Sequence, residues 1–285
     1  MKKIMNLIIS LIVLMALVVP SMAQISNNEK FDLSELSVIS VSNTQNISEQ
    51  EAFKMAQKIT WAIEKQNEQE IQSSVNVNSQ KFLQKSQLAA VTTATPIKLG
   101  TNVTFTTADC GDFGKSRWGS SIMFNGSDYN LSSRQAREVA MSGPAGAGGC
   151  GAWSWVGKSF YVNGTGSKAA NIRMSGQLYG LTTAFGGGSS NTLVELVVLD
   201  QTTGTSYSTT IYQQSGGAVS WSEVNRSFNN GVTVNLQGGH QYIAYLKISG
   251  SAATYGAGEA GSDFGPWDMD NNGESVKYSN IVVSF

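Results

Sequence analysis

Leu193-Val194-Glu195-Leu196-Val197-Val198-Leu199 is the stretch that decides the fold. Successive side chains of a strand point to opposite faces, and in this heptapeptide both alternations are filled by Leu and Val, with Glu195 the single interruption. A strand that is apolar on both faces belongs in the middle of packed layers. Working outward, Asp200-Gln201-Thr202-Thr203-Gly204 reads as a turn into a strand over 205–213, because Asp and Gly supply the backbone geometry a reversal needs. Further on, Gln237-Gly238-Gly239 separates a strand over 232–236 from one over 240–249. In the latter, Tyr242, Ala244, Leu246 and Ile248 share one face, and Ile243, Tyr245 and Lys247 share the other. Thr101 to Thr107 and Val276 to Phe285 add strands at the two ends. Residues 101–285 are therefore expected to form an antiparallel β-sandwich, with a jelly-roll order preferred to an up-and-down barrel because the strands are unevenly spaced.

The run Asn235-Leu236-Gln237-Gly238-Gly239-His240-Gln241-Tyr242-Ile243-Ala244 resembles the penultimate hairpin of secreted jelly-roll domains, carbohydrate-binding modules among them. The closing Tyr278-Ser279-Asn280-Ile281-Val282-Val283 resembles their final strand. The resemblance covers the last 50 or so residues, and it implies a fold and no site residue.

All 30 glycines, all nine tyrosines and both cysteines lie at position 100 or later, so the chain changes character there. Before that point, Ser48-Glu49-Gln50-Glu51 has the form of a capping box, and Ala52, Met55, Ala56, Ile59, Ala62 and Ile63 recur at helical spacing. These residues predict one amphipathic helix from 49 to about 70, followed by a linker with one short strand over 71–100. The apolar face of the helix is expected to rest on the sheet domain or on a sibling helix. At the start of the chain Lys2 and Lys3 precede an apolar run from Ile4 to Val19 and the small residues Ser21-Met22-Ala23, the pattern of a secretory leader over 1–23. The organisation expected is thus a leader (1–23), a helix and linker region (24–100) and a sandwich domain (101–285), secreted or held at the cell surface, with no transmembrane segment after cleavage.

Charged residues make up only 14% of the chain, and the leader takes two of the 19 basic side chains and none of the 20 acidic ones. The mature net charge falls near −3, and Lys and Arg are scattered singly. A phosphate backbone or an anionic bilayer needs them clustered, so nucleic-acid binding is excluded as a function class. In an oxidising compartment the simplest reading of Cys110 and Cys150 is a single disulfide, which on the chain-entropy model contributes ~4 kcal/mol. Asn-x-Ser/Thr acceptors for glycosylation stand at Asn46, Asn102, Asn125, Asn130, Asn163 and Asn225.

Two segments are candidates for ligands. Asp268-Met269-Asp270-Asn271-Asn272-Gly273 opens like a calcium loop, with hard oxygens of Asp268, Asp270 and Asn272 at alternate positions before a glycine. The twelfth position is Ser279, where a bidentate carboxylate should close the shell, so a structural calcium would need Glu259 or Asp263 from the preceding loop, and a plain hairpin turn is the competing reading. Trp153 and Trp155 flank Ser154 and share a strand face, a spacing that makes either a platform for sugar rings or ordinary core packing. Trp118, Trp221 and Trp267 add further aromatic surface.

Catalysis finds little in the sequence. His240 is the only histidine and has no nucleophile signature beside it, and Glu195, Asp200, Glu223 and Glu259 are carboxylates that no motif distinguishes. Gly143 to Gly149 lacks the lysine and helix of a phosphate loop. No cofactor beyond the calcium is implied. The first functional expectation is a non-catalytic adhesive, structural or matrix protein acting on surface glycans or cell-surface proteins. A lectin similar to carbohydrate-binding modules is the second, and an extracellular hydrolase or pore-forming protein the third.

Overall fold

A computed structural model describes residues 48–88, 94–144, 146–217, 219–265 and 274–285, with backbone only from 78 to 88. The leader, Asn46, Trp267 and the calcium-loop candidates Asp268, Asp270 and Asn272 lie outside the described residues. In chain order the elements are α1 (Glu49–Leu88), β1 (Thr95–Lys98), β2 (Val103–Phe105), β3 (Cys110–Gly119), β4 (Met123–Asn130), β5 (Gln135–Ser142), β6 (Ala147–Asn163), β7 (Ser167–Phe185), β8 (Gly188–Asp200), β9 (Ser206–Gly216), β10 (Val219–Gln237), β11 (Gln241–Tyr255), β12 (Glu259–Phe264) and β13 (Ser275–Ser284).

The strands form two sheets packed face to face. In the first, β6, β11, β8 and β9 lie side by side, with β1 and β3 both on the outer edge of β6. In the second, β10 pairs with β7 along its full 19 residues, β13 and β12 share the other edge of β7, and β5 and then β4 follow, with β2 on β13. Numbering β5 to β11 and then β13 as strands one to eight, the sheets read 1-8-3-6 and 2-7-4-5, the order of a jelly roll. The preferred topology is thus the one adopted.

Period two sets what each strand buries. Val194, Leu196 and Val198 of the deciding stretch point between the sheets, where they join Val156, Phe160 and Ile248 from the first sheet and Ile172, Met174, Leu178 and Ile281 from the second. Val197 and Leu199 point the other way and are buried with Ile71 and Val75 of α1. Both faces of β8 are covered, one by a sheet and one by a helix. Glu195 shares that helix-side face and forms an ion pair with Lys247 of β11, its register partner.

The capping box forms as its sequence predicts. The Ser48 backbone N–H donates to Glu51 Oε2 at 3.0 Å and the Glu51 N–H donates to Ser48 Oγ at 3.3 Å, an arrangement that lowers the Glu51 carboxyl from its ordinary value. The helix does not stop near residue 70, however, and residues 71–88 continue it in place of the expected linker. Ile63, Asn67, Ile71 and Val75 recur every four residues on its buried side, so the stripe runs on through a stretch whose Gln, Ser, Asn and Val composition hides it. Glycines bring helix and sheet together. A Cβ added at Gly149 or Gly151 of β6 would lie 2.7 or 2.5 Å from Ile63, closer than packed atoms allow.

Candidate binding face

The platform expected of Trp153 and Trp155 is not a surface. The alternation reading is right, since both project from the same face of β6, but α1 lies across that face and leaves them 4% and 0% exposed. Each indole N–H is used by the helix: Trp153 donates to Glu70 Oε2 and Trp155 to Ser74 Oγ, both at 3.1 Å. Trp155 also packs against Tyr245 of β11 with ring centroids 5.2 Å apart. These side chains dock the helix, and no sugar ring reaches them in this arrangement.

The expected disulfide is likewise absent, and the strand register shows why. Cys110 stands opposite Gly157 on the β3–β6 ladder while Cys150 stands opposite Arg117, seven residues along β6 and therefore about 23 Å away, where a bridge needs Cα atoms within ~7 Å. Their side chains also leave opposite faces of the sheet. Cys110 is buried with Ile71 and Val75 under α1, and Cys150 is buried between the sheets with Ala140, Ala184 and Ala252. Burial pushes the Cys110 thiol well up and the Cys150 thiol up to about 12.

Among the glycosylation candidates, Asn163 and Asn225 are exposed, and Asn102 and Asn130 are exposed with their amides engaged by Phe285 N and by Ser132 and Ser133. Asn125 is a correction. It is 4% exposed, and its Nδ2 donates to the carbonyls of Ser116 and Gly151 at 2.7 and 2.9 Å, tying β4 to β3 and β6. A sequon records the tripeptide and not which face of the strand the amide leaves.

The polar candidates do not assemble into a catalytic group. His240 Nδ1 lies 2.8 Å from Asp200 Oδ2, and Asp200 Oδ1 accepts the Thr202 N–H at 2.9 Å, so the pair ties one turn to another at the end of the sandwich. Glu195 is taken by Lys247 beneath the helix, and Glu223 and Glu259 are exposed on the second sheet. Between the sheets, Glu138 is fully buried, accepts from Ser262 Oγ at 2.6 Å, and is pushed well above the ordinary carboxyl range by burial. Its Oε2 has no hydrogen-bond partner and abuts Gly250, where an added Cβ would sit 2.1 Å away, so the carboxyl fills its space and leaves none for a ligand. Among the described residues, no three His, Cys, Asp or Glu side chains are placed to hold a metal ion, and no helix is long and apolar enough to cross a membrane.

What the fold leaves open is the outer face of the second sheet. Following the ladders across it, Trp221 of β10 stands opposite Thr183 of β7, Thr183 opposite Gly261 of β12, Gly261 opposite Met141 of β5, and Met141 opposite Phe124 of β4. This is one straight row over five strands, about 19 Å from end to end at the usual strand spacing. Trp221 is 65% exposed and Phe124 45%, and Met141, Ile122 and Val219 are exposed around them. Gly261 keeps the middle of the row low between these flanks. One row further along, Glu223 of β10 is exposed while Val139 of β5 and Asp263 of β12 are buried, and another row on come Asn225 and the Arg137–Asp128 ion pair. Of this band the sequence singled out Trp221 alone. Phe124, Met141 and Ile122 carry no motif, and the signal that existed was the alternation of Phe124, Gly126 and Asp128 along a strand whose other face is buried by Asn125 and Ser127.

No family model matches the chain, and no curated protein matches it. Solved structures similar to parts of it include the enzymatically active domain of bacteriophage CBA120 tailspike protein 4 (13% identity, 59% of this chain and 19% of that one, TM-score 0.20). The isomalto-dextranase of Arthrobacter globiformis T6 complexed with panose is similar over 60% of this chain and 23% of its own (12% identity, TM-score 0.17). The C-terminal family 22 carbohydrate-binding module of Clostridium thermocellum Xyn10B is similar over 52% of this chain and 85% of that one (13% identity, TM-score 0.16). The chain thus spans about a fifth of the length of the first two, and likeness at this level assigns neither ligand nor activity.

Proposed function

We propose that the protein is an exported, non-catalytic adhesive module that holds a surface glycan on the outer face of its second sheet. The observation that carries this reading is the row from Phe124 to Trp221. Five large apolar side chains gather on one end of a sheet face that carries Glu223, Asn225 and the Arg137–Asp128 pair further along, with an aromatic ring at each end of the row. Aromatic rings stack on the C–H faces of sugars, and neighbouring amides and carboxylates bond their hydroxyls, so exposed rings with Glu223 and Asn225 on the same face suit a carbohydrate chain better than an ion or a nucleic acid. The rarity of charge over the whole chain fits a surface that binds neutral polymers.

The test is a glycan array followed by titration of any hit on the mature chain. Trp221→Ala and Phe124→Ala should each weaken binding tenfold or more while leaving the fold intact. Binding that survives both substitutions unchanged would place the ligand elsewhere. Release of reducing ends from a bound glycan would instead make the protein a hydrolase.

A further inference from the structure

We propose that the connection between β6 and β7 is a site of self-modification, at which Asn163 loses its amide nitrogen and becomes a mixture of aspartate and isoaspartate. The described residues contain three Asn-Gly pairs, beginning at Asn125, Asn163 and Asn230, and the fold treats them differently. Asn125 is buried: its Nδ2 donates to two carbonyls, its Oδ1 accepts from Arg117 Nε at 2.6 Å, and both it and Gly126 are paired with β5. Asn230 and Gly231 lie inside the β10–β7 ladder opposite Met174 and Arg173, and Asn230 Nδ2 donates to the Thr210 carbonyl at 3.4 Å. At Asn163 the strand ends. Asn163, Gly164, Thr165 and Gly166 are all exposed, and Gly164 takes a φ of 133°. Among the described residues nothing accepts the Gly164 N–H, and nothing bonds the Asn163 side-chain amide.

The reaction needs the backbone nitrogen of the following residue to reach the asparagine Cγ, so the main chain must turn away from the extended form. A strand ladder forbids that turn, and a glycine connection allows it because no Cβ blocks the approach or the backbone angles. The Gly164 nitrogen gives up its proton and attacks Asn163 Cγ; the new N–Cγ bond closes a five-membered imide as the Cγ–Nδ2 bond breaks and Nδ2 leaves as ammonia. Water then opens the ring. Opening at Cγ leaves aspartate, and opening at the main-chain carbonyl leaves isoaspartate, whose backbone runs through Cβ and Cγ and is one carbon longer. Either product puts a carboxylate where a neutral amide stood. The longer one also disturbs its neighbours, because the Asn163 carbonyl accepts the Leu99 N–H at 2.9 Å and Asn163 is the register partner of Lys98, the last residue of β1. The turn between β10 and β11 is packed as closely, since a Cβ added at Gly238 would lie 2.3 Å from the Gly164 carbonyl oxygen.

Incubating the mature chain at pH 8 and mapping its peptides by mass should show a gain of one mass unit, ammonia lost for water gained, first in the peptide that carries Asn163. Conversion at Asn230, which must leave its ladder and one side-chain hydrogen bond, should be at least about tenfold slower. At Asn125, whose amide must release three hydrogen bonds, it should be slower on the order of a hundredfold. In concentrated guanidinium chloride the three sites should convert at similar rates, because each is followed by glycine and none is then held. Hydrogen exchange of the aged protein should be faster in β1 and unchanged in β8. Asn163→Gln, whose longer side chain disfavours the ring, should abolish both the early mass gain and the change in β1. Equal rates at the three sites in the folded protein, or a ranking that persists in denaturant, would overturn the proposal. So would a glycan on Asn163 Nδ2, since it occupies the nitrogen that has to leave.

Discussion

On the outer face of the first sheet, Trp153 and Trp155 lie beneath a helix at 4% and 0% exposure, whereas on the outer face of the second, Trp221 stands 65% exposed beside no covering element among the described residues. Both sets sit on long strands and alternate with residues that point into the space between the sheets. What separates them is the company they keep. Around Trp153 and Trp155, β6 supplies Gly149 and Gly151, which let a helix approach, and α1 supplies acceptors for both indole N–H groups. Around Trp221, β10 supplies Glu223 and Asn225 on the same face, side chains suited to water. An aromatic residue on a strand is therefore a site or a dock according to the glycines and acceptors that face it, and those come from other elements.

The sharpest way to break this comparison is to truncate one aromatic on each side. Trp155→Ala removes a fully buried indole from between helix and sheet and should cost about 3–5 kcal/mol, lowering the melting temperature by ~10 °C in a chain of this size. Thermal denaturation followed by circular dichroism checks it. A loss under 1 kcal/mol would mean that the helix contributes little to the folded state.

Next in size is Gly151→Ala. The added Cβ would lie 2.5 Å from Ile63 Cγ2 and 2.7 Å from Asn67 Nδ2, so the helix must lift or the strand must bend, at about 1–3 kcal/mol. Because α1 packs mainly on the outer face of the first sheet, the damage should show as faster exchange of α1 amides while β7 and β10 keep their protection. Gly261→Ala, in the middle of the open row, meets Thr183 Oγ1 at 3.1 Å and nothing else closer than 3.5 Å, and it should be milder.

The residues that made the fold legible were those whose neighbours are local. Leu193 to Leu199 announced a doubly buried strand because alternation is fixed within one chain segment, and Ser48 to Glu51 announced a helix start because a capping box closes over three residues. The features that stayed hidden depend on elements far apart in sequence. Nothing near Cys110 or Cys150 says that β3 and β6 pair in a register that holds them seven residues apart, and nothing near Trp153 says that residues 63–75 lie over it. The open row is the extreme case, with its five members drawn from five strands between residues 124 and 261. The helix beyond residue 70 was missed for a different reason: Asn67 fills a core position of the stripe with a polar group whose partners, Gly250 and Ser116, are on the sheet.

Trp221→Ala is expected to leave stability within about 0.5 kcal/mol of wild type, since an exposed side chain loses little transfer free energy when it is shortened. A melting curve unmoved by this change, set beside the large shift in Trp155→Ala, would sharpen the division between a docking face and a free one. A drop of 2 kcal/mol or more would show that the second face is also covered.

The smallest effect is expected from a reductant. Cys110 and Cys150 are both free and buried on opposite faces of one sheet, so no bond between them can constrain the unfolded chain, and dithiothreitol should shift the melting temperature by nothing measurable. Two alkylatable thiols should appear once the protein is unfolded without reduction. A bridged chain would have to bring together side chains about 23 Å apart, which requires β3 to leave β6, and with it the Asp112–Ser74 contact that helps seat α1. A fall in melting temperature on reduction would therefore do more than restore the disulfide. It would show that the first sheet pairs in another register, and the distinction between its covered face and the open one would have to be rebuilt from that register outward.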